Sequence, residues 1–218
     1  IAVGVIIIAL APGGATSHMF TYLSKGDVSL SISLTAIVSV ITPFTIPIFA
    51  AMSMAFFMDN NTEFSLPVIK TIVQLLVITL VPVGLGMFVL SRWPNLAVTL
   101  EKILKWFSVF FLLLIILLIV IKNKDNMFSF FAEAGLATLL LNIFVLIIGY
   151  QLAKLAHLSH AQSVSIGFEV GIQNGTLALL VAGTLIGNET MMIPAVTYSI
   201  IMFLVALHLA GGQIDKNQ

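Results

Sequence analysis

Two apolar stretches of this chain are interrupted at their middles. IIIALAPGGATSHMF breaks at Pro12, Gly13 and Gly14, and SIGFEVGIQNGTLALL breaks at Gly171, Asn174 and Gly175. In hydrocarbon every backbone N–H and C=O needs an internal partner. Non-helical backbone at that depth persists only when buried in protein or lining a water-filled cavity. Paired breaks in corresponding halves of a chain point to the binding site of a secondary transporter. Composition supplies the membrane setting: 60% of residues are hydrophobic and 8% charged, against roughly 25% charged in a soluble domain. A formal net charge of zero leaves no basic patch for nucleic acid. The absence of cysteine removes disulfides, thiolate metal sites and thiol nucleophiles together.

A membrane-spanning helix needs about 20 mostly apolar residues, and seven stretches qualify: 1–24, 28–58, 67–90, 106–121, 127–153, 159–186 and 190–210. A short amphipathic piece, 96–105, led in by Arg92, Trp93 and Pro94, is expected at the interface. Ser159 and Gln162 form a capping box for the sixth span. Pro43 and Pro47 shape the second span, and the Pro82, Gly84, Gly86 cluster in the third suggests close helix packing. Basic loop residues divide into Lys25, Arg92, Lys102, Lys105, Lys154 and Lys216 on one side and Lys122 and Lys124 on the other. The positive-inside bias places the first group and the C-terminus in the cytoplasm. The expected location is a bacterial inner (plasma) membrane.

The broken spans are first and sixth in order, so they cross the membrane in opposite directions. Each is followed by an unbroken span, as in an inverted repeat. The chain starts at Ile1 inside an apolar run, and symmetry predicts three further spans upstream, roughly 75–100 residues. The expected fold class is therefore an all-α polytopic membrane protein, with seven spans of ten present. Residues 1–58 would complete a first repeat, 67–121 form panel-type spans, 127–210 form core spans, and 211–218 a cytoplasmic tail.

Half-helix ends near the midplane offer unpaired N–H groups and carbonyls. Donor ends suit an anionic substrate, here Gly13, Gly14, Thr16, Asn174 and Gly175; carbonyls and polar side chains suit a small hard cation. Glu169 is the decisive residue. An intramembrane carboxylate needs a partner, a proton or a bound cation, and no Lys or Arg lies at comparable depth in any span. Gln173 and Asn174 add amide oxygens, and Ser17, Ser31 and Thr35 add hydroxyls. Ser31 and Thr35 are four apart and share a helix face. Taken alone such hydroxyls more often join helices, and His18 is evenly balanced between packing donor and ligand. Asn142 and Glu133 on the fifth span have no evident role.

The run PGGATSHMFTYLSKGDVSLSISLTA, followed downstream by FEVGIQNGTLALL, resembles the bile acid:sodium symporter family over essentially the whole chain. The resemblance implies ten helices in two inverted five-helix repeats, a core domain whose broken helices cross, and a panel domain beside it. It implies two Na⁺ ions as transported coupling ions, with no organic cofactor. The first falls on Ser17, His18, Ser31, Thr35 and Glu169. The second falls on Glu169, Val170, Ile172 and Gln173, through main-chain carbonyls at the apolar positions, with a Gln from an earlier helix. The family motif usually reads Ser-Asn where this chain has Ser17-His18, and imidazole nitrogen is a softer ligand than an amide oxygen.

The implied function is sodium-coupled symport of an organic anion, such as a bile acid or small carboxylate, by alternating access. Proton or mixed-ion coupling through His18 and Glu169 is an alternative. A channel is a weaker one, because channel filters are built from rings of charges or carbonyls. No H-E-x-x-H and no G-x-S-x-G sequence supports an enzyme. The expected partners are the substrate anion and the lipid bilayer.

Overall fold

The computed structural model describes residues 1–58, 66–122 and 127–214. Lys124 and Lys216, used in the charge comparison, lie outside the described residues. The chain forms α1 (Ala2–Leu10), α2 (Ala15–Leu23), α3 (Val28–Phe57), α4 (Val68–Arg92), α5 (Pro94–Lys122), α6 (Met127–Leu155), α7 (His160–Gly171), α8 (Gly175–Leu180) and α9 (Glu189–Ile214). A π-helical turn, Val181–Ile186, continues α8. Among the described residues four helices are long and apolar enough to cross a membrane: α3, α4, and the greater parts of α6 and α9. The all-α polytopic membrane architecture holds.

Both expected breaks are present. The first apolar stretch is split into α1 and α2 by residues 11–14, and the sixth into α7 and α8 by residues 172–174. The broken segments meet as a single antiparallel bridge between Gly13 and Gln173. Gly14 N–H donates to the Ile172 carbonyl at 2.7 Å, and Asn174 N–H to the Pro12 carbonyl at 2.8 Å. Each break thus satisfies backbone groups of the other, as burial in an apolar medium requires. The antiparallel sense agrees with the opposite directions inferred from span order.

Packing around the crossing joins helices far apart in the chain. α1 lies against α3 and α9, α2 against α3 and α7, and α6 against α7 and α9, while α4 packs on α3 and α5. Ile7, Ile8, Phe20, Ile46, Ile172, Val181 and Tyr198 are fully buried at the centre. The rings of Phe20 on α2 and Phe168 on α7 stack at 6.2 Å. Helices approach closely where side chains are missing. A Cβ on Gly167 would lie 3.3 Å from the Leu146 carbonyl of α6.

Local signals set the helix ends that matter for the site. Ser159 and Gln162 form the expected capping box at the start of α7. The tight turn between α2 and α3 places Lys25 at φ 56°, and Asp27 then caps α3 by accepting from Leu30 N–H at 3.0 Å. The same turn is bound to α7: Asp27 N–H donates to the Ala161 carbonyl at 3.2 Å, and Ser165 Oγ to the Asp27 carbonyl at 2.9 Å. This anchorage fixes how α3 enters beside α7.

Two sequence expectations change. The separate interfacial piece 96–105 is part of one continuous helix, α5. Pro94 sits at its first position, where the missing N–H is harmless, and no glycine or proline follows before Lys122 to end the helix. The Gly84 and Gly86 cluster does not mark close packing within this chain: a Cβ at either would meet nothing within 4 Å. That face of α4 points away from the other described helices.

Candidate functional site

The crossing brings the first expected cation set together around one carboxylate. Glu169 lies on the last turn of α7 and is 4% exposed. Its Oε2 accepts from Ser17 Oγ on α2 at 2.8 Å and from Ser31 Oγ on α3 at 2.8 Å. Its Oε1 accepts from Thr35 Oγ1 one turn further along α3. Three hydroxyls from two helices therefore converge on one side chain of a third. Each hydroxyl oxygen and each carboxylate oxygen keeps lone-pair capacity for a cation.

His18 stands at the rim of this group, with 24% of its side chain exposed. Its Nδ1 lies 2.9 Å from Ser31 Oγ, 3.4 Å from Ser17 Oγ and 4.0 Å from Glu169 Oε2. Among the described residues, His18 is the basic side chain within ion-pair distance of Glu169. The imidazole thus reaches the carboxylate mainly through the serine hydroxyls.

The second expected set lies on the break itself. The Val170 carbonyl accepts from Gln173 Nε2 at 2.8 Å, and the Ile172 carbonyl accepts from Gly14 N–H. Each carbonyl retains a second lone pair. Gln173 Oε1 is buried and has no hydrogen-bond partner. Flipping the amide would set oxygen against the Val170 carbonyl, so the orphan is the oxygen. Leaving a buried acceptor unpaired is worth about 1–3 kcal/mol of instability, which a hard cation on Oε1 would relieve. The donor set is therefore carboxylate, hydroxyl, amide and carbonyl oxygen, which suits a hard cation. No group of three or more His, Cys, Asp or Glu suited to a transition metal occurs among the described residues.

The residues expected to meet substrate have structural duties as well. Gly13 gives room for the Glu169 carboxyl group, which occupies the place a Cβ would take. Gly14 faces the Gln173 carbonyl, 3.1 Å from where its Cβ would stand. Asn174 caps α8, its Oδ1 accepting from Leu177 N–H at 3.0 Å, so its Nδ2 is the group left for a ligand. At Gly175 a Cβ would collide with Ser199 Oγ of α9. Thr16 is half-buried on the first turn of α2.

Sequence reasoning assigned nothing to Asn142, which proves to be fully buried. Its Nδ2 donates to the Gly171 carbonyl at 2.7 Å, and Tyr198 OH donates to the same oxygen at 2.9 Å. The signal available was an amide in the middle of a mostly apolar span, where a polar side chain is expected to find a partner.

Known proteins match this arrangement of segments. The model of the Sodium Bile acid symporter family matches residues 1–130. The P3 protein of Homo sapiens is 34% identical over 183 residues, covering 82% of this chain and 37% of that protein. The probable sodium/metabolite cotransporter BASS1 of Arabidopsis thaliana is 24% identical over 210 residues, 96% of this chain and 51% of the relative. The uncharacterized sodium-dependent transporter YocS of Bacillus subtilis is 27% identical over 182 residues, 84% of this chain and 55% of the relative. The chain thus spans about half or less of the length of these relatives. The family match runs through the first break, α3 and the paired helices α4 and α5, and with it the chain belongs to the sodium bile acid symporter family.

Proposed function

We propose that this chain forms the cation-binding part of a secondary active carrier that moves an organic anion, such as a bile acid or a small carboxylate, by symport with Na⁺. The observation that carries the reading is Glu169. A carboxyl group buried between α2, α3 and α7, with both oxygens met by hydroxyls and, among the described residues, no lysine or arginine within ion-pair distance, needs a small cation as its counterpart. Ser17, Ser31 and Thr35 supply one half of a coordination shell; Val170, Ile172 and Gln173 supply another on the break. Glu169 joins the two. An ion at the crossing ties α2 and α3 to α7, so its occupancy biases how the two broken segments sit together.

The substrate anion is assigned to donor groups beside the cations, the main-chain N–H groups around Gly13 and Thr16 with Asn174 Nδ2; the Gly14 and Gly175 N–H groups are spent on the Ile172 and Gln173 carbonyls, so these two glycines give room there and not donors. Segment 67–121, which carries α4 and α5, is assigned to the panel, and 1–58 with 127–210 to the core. Rocking of core against panel would expose the crossing to each side in turn. By the positive-inside bias the C-terminus is assigned to the cytoplasmic side of a bacterial inner membrane.

The test is uptake by the full-length protein in proteoliposomes, with an inward Na⁺ gradient compared with choline at equal ionic strength. Saturable uptake that follows the Na⁺ gradient, and its loss in Glu169→Gln, is expected. Uptake indifferent to Na⁺, or ohmic single-channel currents, would overturn the reading.

A second reading has its own observation. His18 Nδ1 sits 2.9 Å from Ser31 Oγ and 4.0 Å from Glu169 Oε2, so a proton on the imidazole would place positive charge where the first Na⁺ is assigned. Coupling would then be mixed, with H⁺ replacing one Na⁺. A Hill coefficient for Na⁺ that stays at two across the pH range would sink it.

A further inference from the structure

The C-terminal end of α7 leaves carbonyls that its own helix cannot satisfy. Phe168 O takes Ile172 N–H at 2.8 Å and Ile172 O takes Gly14 N–H at 2.7 Å, while Val170 O takes the Gln173 amide at 2.8 Å. One donor each is sufficient. Gly171 O differs, because it takes two donors from two other helices: Asn142 Nδ2 of α6 and Tyr198 OH of α9. Asn142 Nδ2 also lies 3.1 Å from Tyr198 OH, closing a three-membered polar cluster.

Both side chains are fully buried, and Asn142 Oδ1 has no partner. An apolar residue at 142 would leave no orphan, and Tyr198 alone would still satisfy Gly171 O. The amide therefore exceeds what backbone satisfaction demands. Its effect is geometric. The Gly171–Ile172 peptide is held at both edges, through its oxygen by Asn142 and Tyr198 and through its N–H by Phe168 O. The Val170 and Ile172 carbonyls flank this peptide, so fixing it restricts how far they turn. α6 and α9 come close enough for this grip at matched points. Leu146, one turn after Asn142, packs where a Gly171 Cβ would stand, and Ser199, next to Tyr198, packs where a Gly175 Cβ would stand.

We infer that Asn142 and Tyr198 are positioning residues of the second cation site, setting Na⁺ affinity by fixing the Gly171–Ile172 peptide and thereby the carbonyls of Val170 and Ile172. The inference rests on the cation reading proposed above. Tyr198→Phe keeps the ring and removes one donor. Asn142→Leu removes the other together with the orphan oxygen.

The experiment titrates NaCl against uptake at saturating substrate in the full-length protein, wild type and both variants. Thermal melting in choline chloride is measured alongside. Tyr198→Phe is expected to raise the Na⁺ half-saturation about three- to tenfold, the effect of one hydrogen bond, with the maximal rate and the melting temperature in choline unchanged. Asn142→Leu is expected to shift it further in the same direction. If Asn142→Leu fails to fold, Tyr198→Phe decides alone. An unchanged Na⁺ half-saturation in Tyr198→Phe, or a fall in choline melting temperature with Na⁺ affinity intact, overturns the inference and leaves a purely structural clamp. A wild type indifferent to Na⁺ instead removes the cation reading itself, and this inference with it.

Discussion

Substituting Gly13 tests the site at its tightest point. A Cβ built there overlaps Glu169 Oε1 and comes within 2.5 Å of its carboxyl carbon, with the Glu169 main-chain oxygen 3.1 Å away. The carboxyl group would have to leave. It is held by Ser17, Ser31 and Thr35, and hydrogen bonds to a charged group are worth about 1.5–3 kcal/mol each. Losing one such contact corresponds to roughly ten- to hundredfold at about 1.4 kcal/mol per decade. The alternative, pushing the two breaks apart, strains the Gly14 to Ile172 and Asn174 to Pro12 bonds and has an overpacking penalty of about 1–3 kcal/mol. Gly13→Ala is therefore expected to weaken Na⁺ half-saturation about ten- to hundredfold. The assay is Na⁺-dependent uptake together with Na⁺-induced thermal stabilisation, read against choline. Gly14→Ala meets a main-chain oxygen at 3.1 Å and should be intermediate. Gly84→Ala meets nothing within 4 Å and should leave Na⁺ affinity untouched. A Gly13→Ala protein with wild-type Na⁺ affinity would show that the carboxylate does not need its observed position, and the argument from Glu169 would fail.

Other substitutions separate ion binding from scaffolding. Ser31→Ala removes one hydroxyl from Glu169 and the contact of His18, so Na⁺ half-saturation should rise about tenfold or more, measured by the same uptake titration. Ser159→Ala removes the capping box at the far end of α7. It should lower stability by about 0.5–2 kcal/mol, seen as a lower melting temperature, with Na⁺ affinity unchanged. Asn174→Ala removes the α8 cap and should reduce stability by a similar amount while also weakening substrate half-saturation. His18→Asn replaces a ring nitrogen by an amide oxygen, a harder ligand. On the mixed-coupling reading the Hill coefficient for Na⁺ in this variant rises towards two; a coefficient equal to that of the wild type counts against that reading.

How much of this was legible in the residues depended on whether the signal was local. The breaks were legible because Pro12, Gly13 and Gly14 and the Asn174-Gly175 pair disturb apolar runs at a depth where hydrocarbon tolerates no open backbone. Glu169 was legible for the same reason, as a charge with no Lys or Arg at comparable depth in any span. Ser31 and Thr35 shared a face by spacing alone, yet needed the family resemblance to be tied to Glu169. The boundary of α5 was misread because amphipathicity in 96–105 suggested an interfacial turn, whereas helix termination depends on a breaker, and none is there. Gly84 and Gly86 meet no other described helix of this chain, because small residues permit close packing without requiring it.

What stayed hidden was whatever depends on two segments meeting. Gly13 was read as a donor end for substrate, and nothing in PGGATSHMF says that a carboxyl group from a residue far downstream fills the space beside it. That follows only once the Gly13–Gln173 bridge exists. The same holds for Asn142, whose partners are the Gly171 carbonyl and the Tyr198 hydroxyl of two other helices. A crossing of two broken helices thus assigns its roles in an order. Backbone bonds between the breaks come first and fix the distance between α2 and α7. That distance decides which side chains can enter, and glycine at 13 is the condition for a carboxylate to do so. The hydroxyls of α2 and α3 then have one acceptor within reach. The proposed cation site is in this sense a consequence of how tightly two interrupted helices satisfy each other's backbone, and loosening that fit is expected to weaken Na⁺ binding even where no ligand is changed.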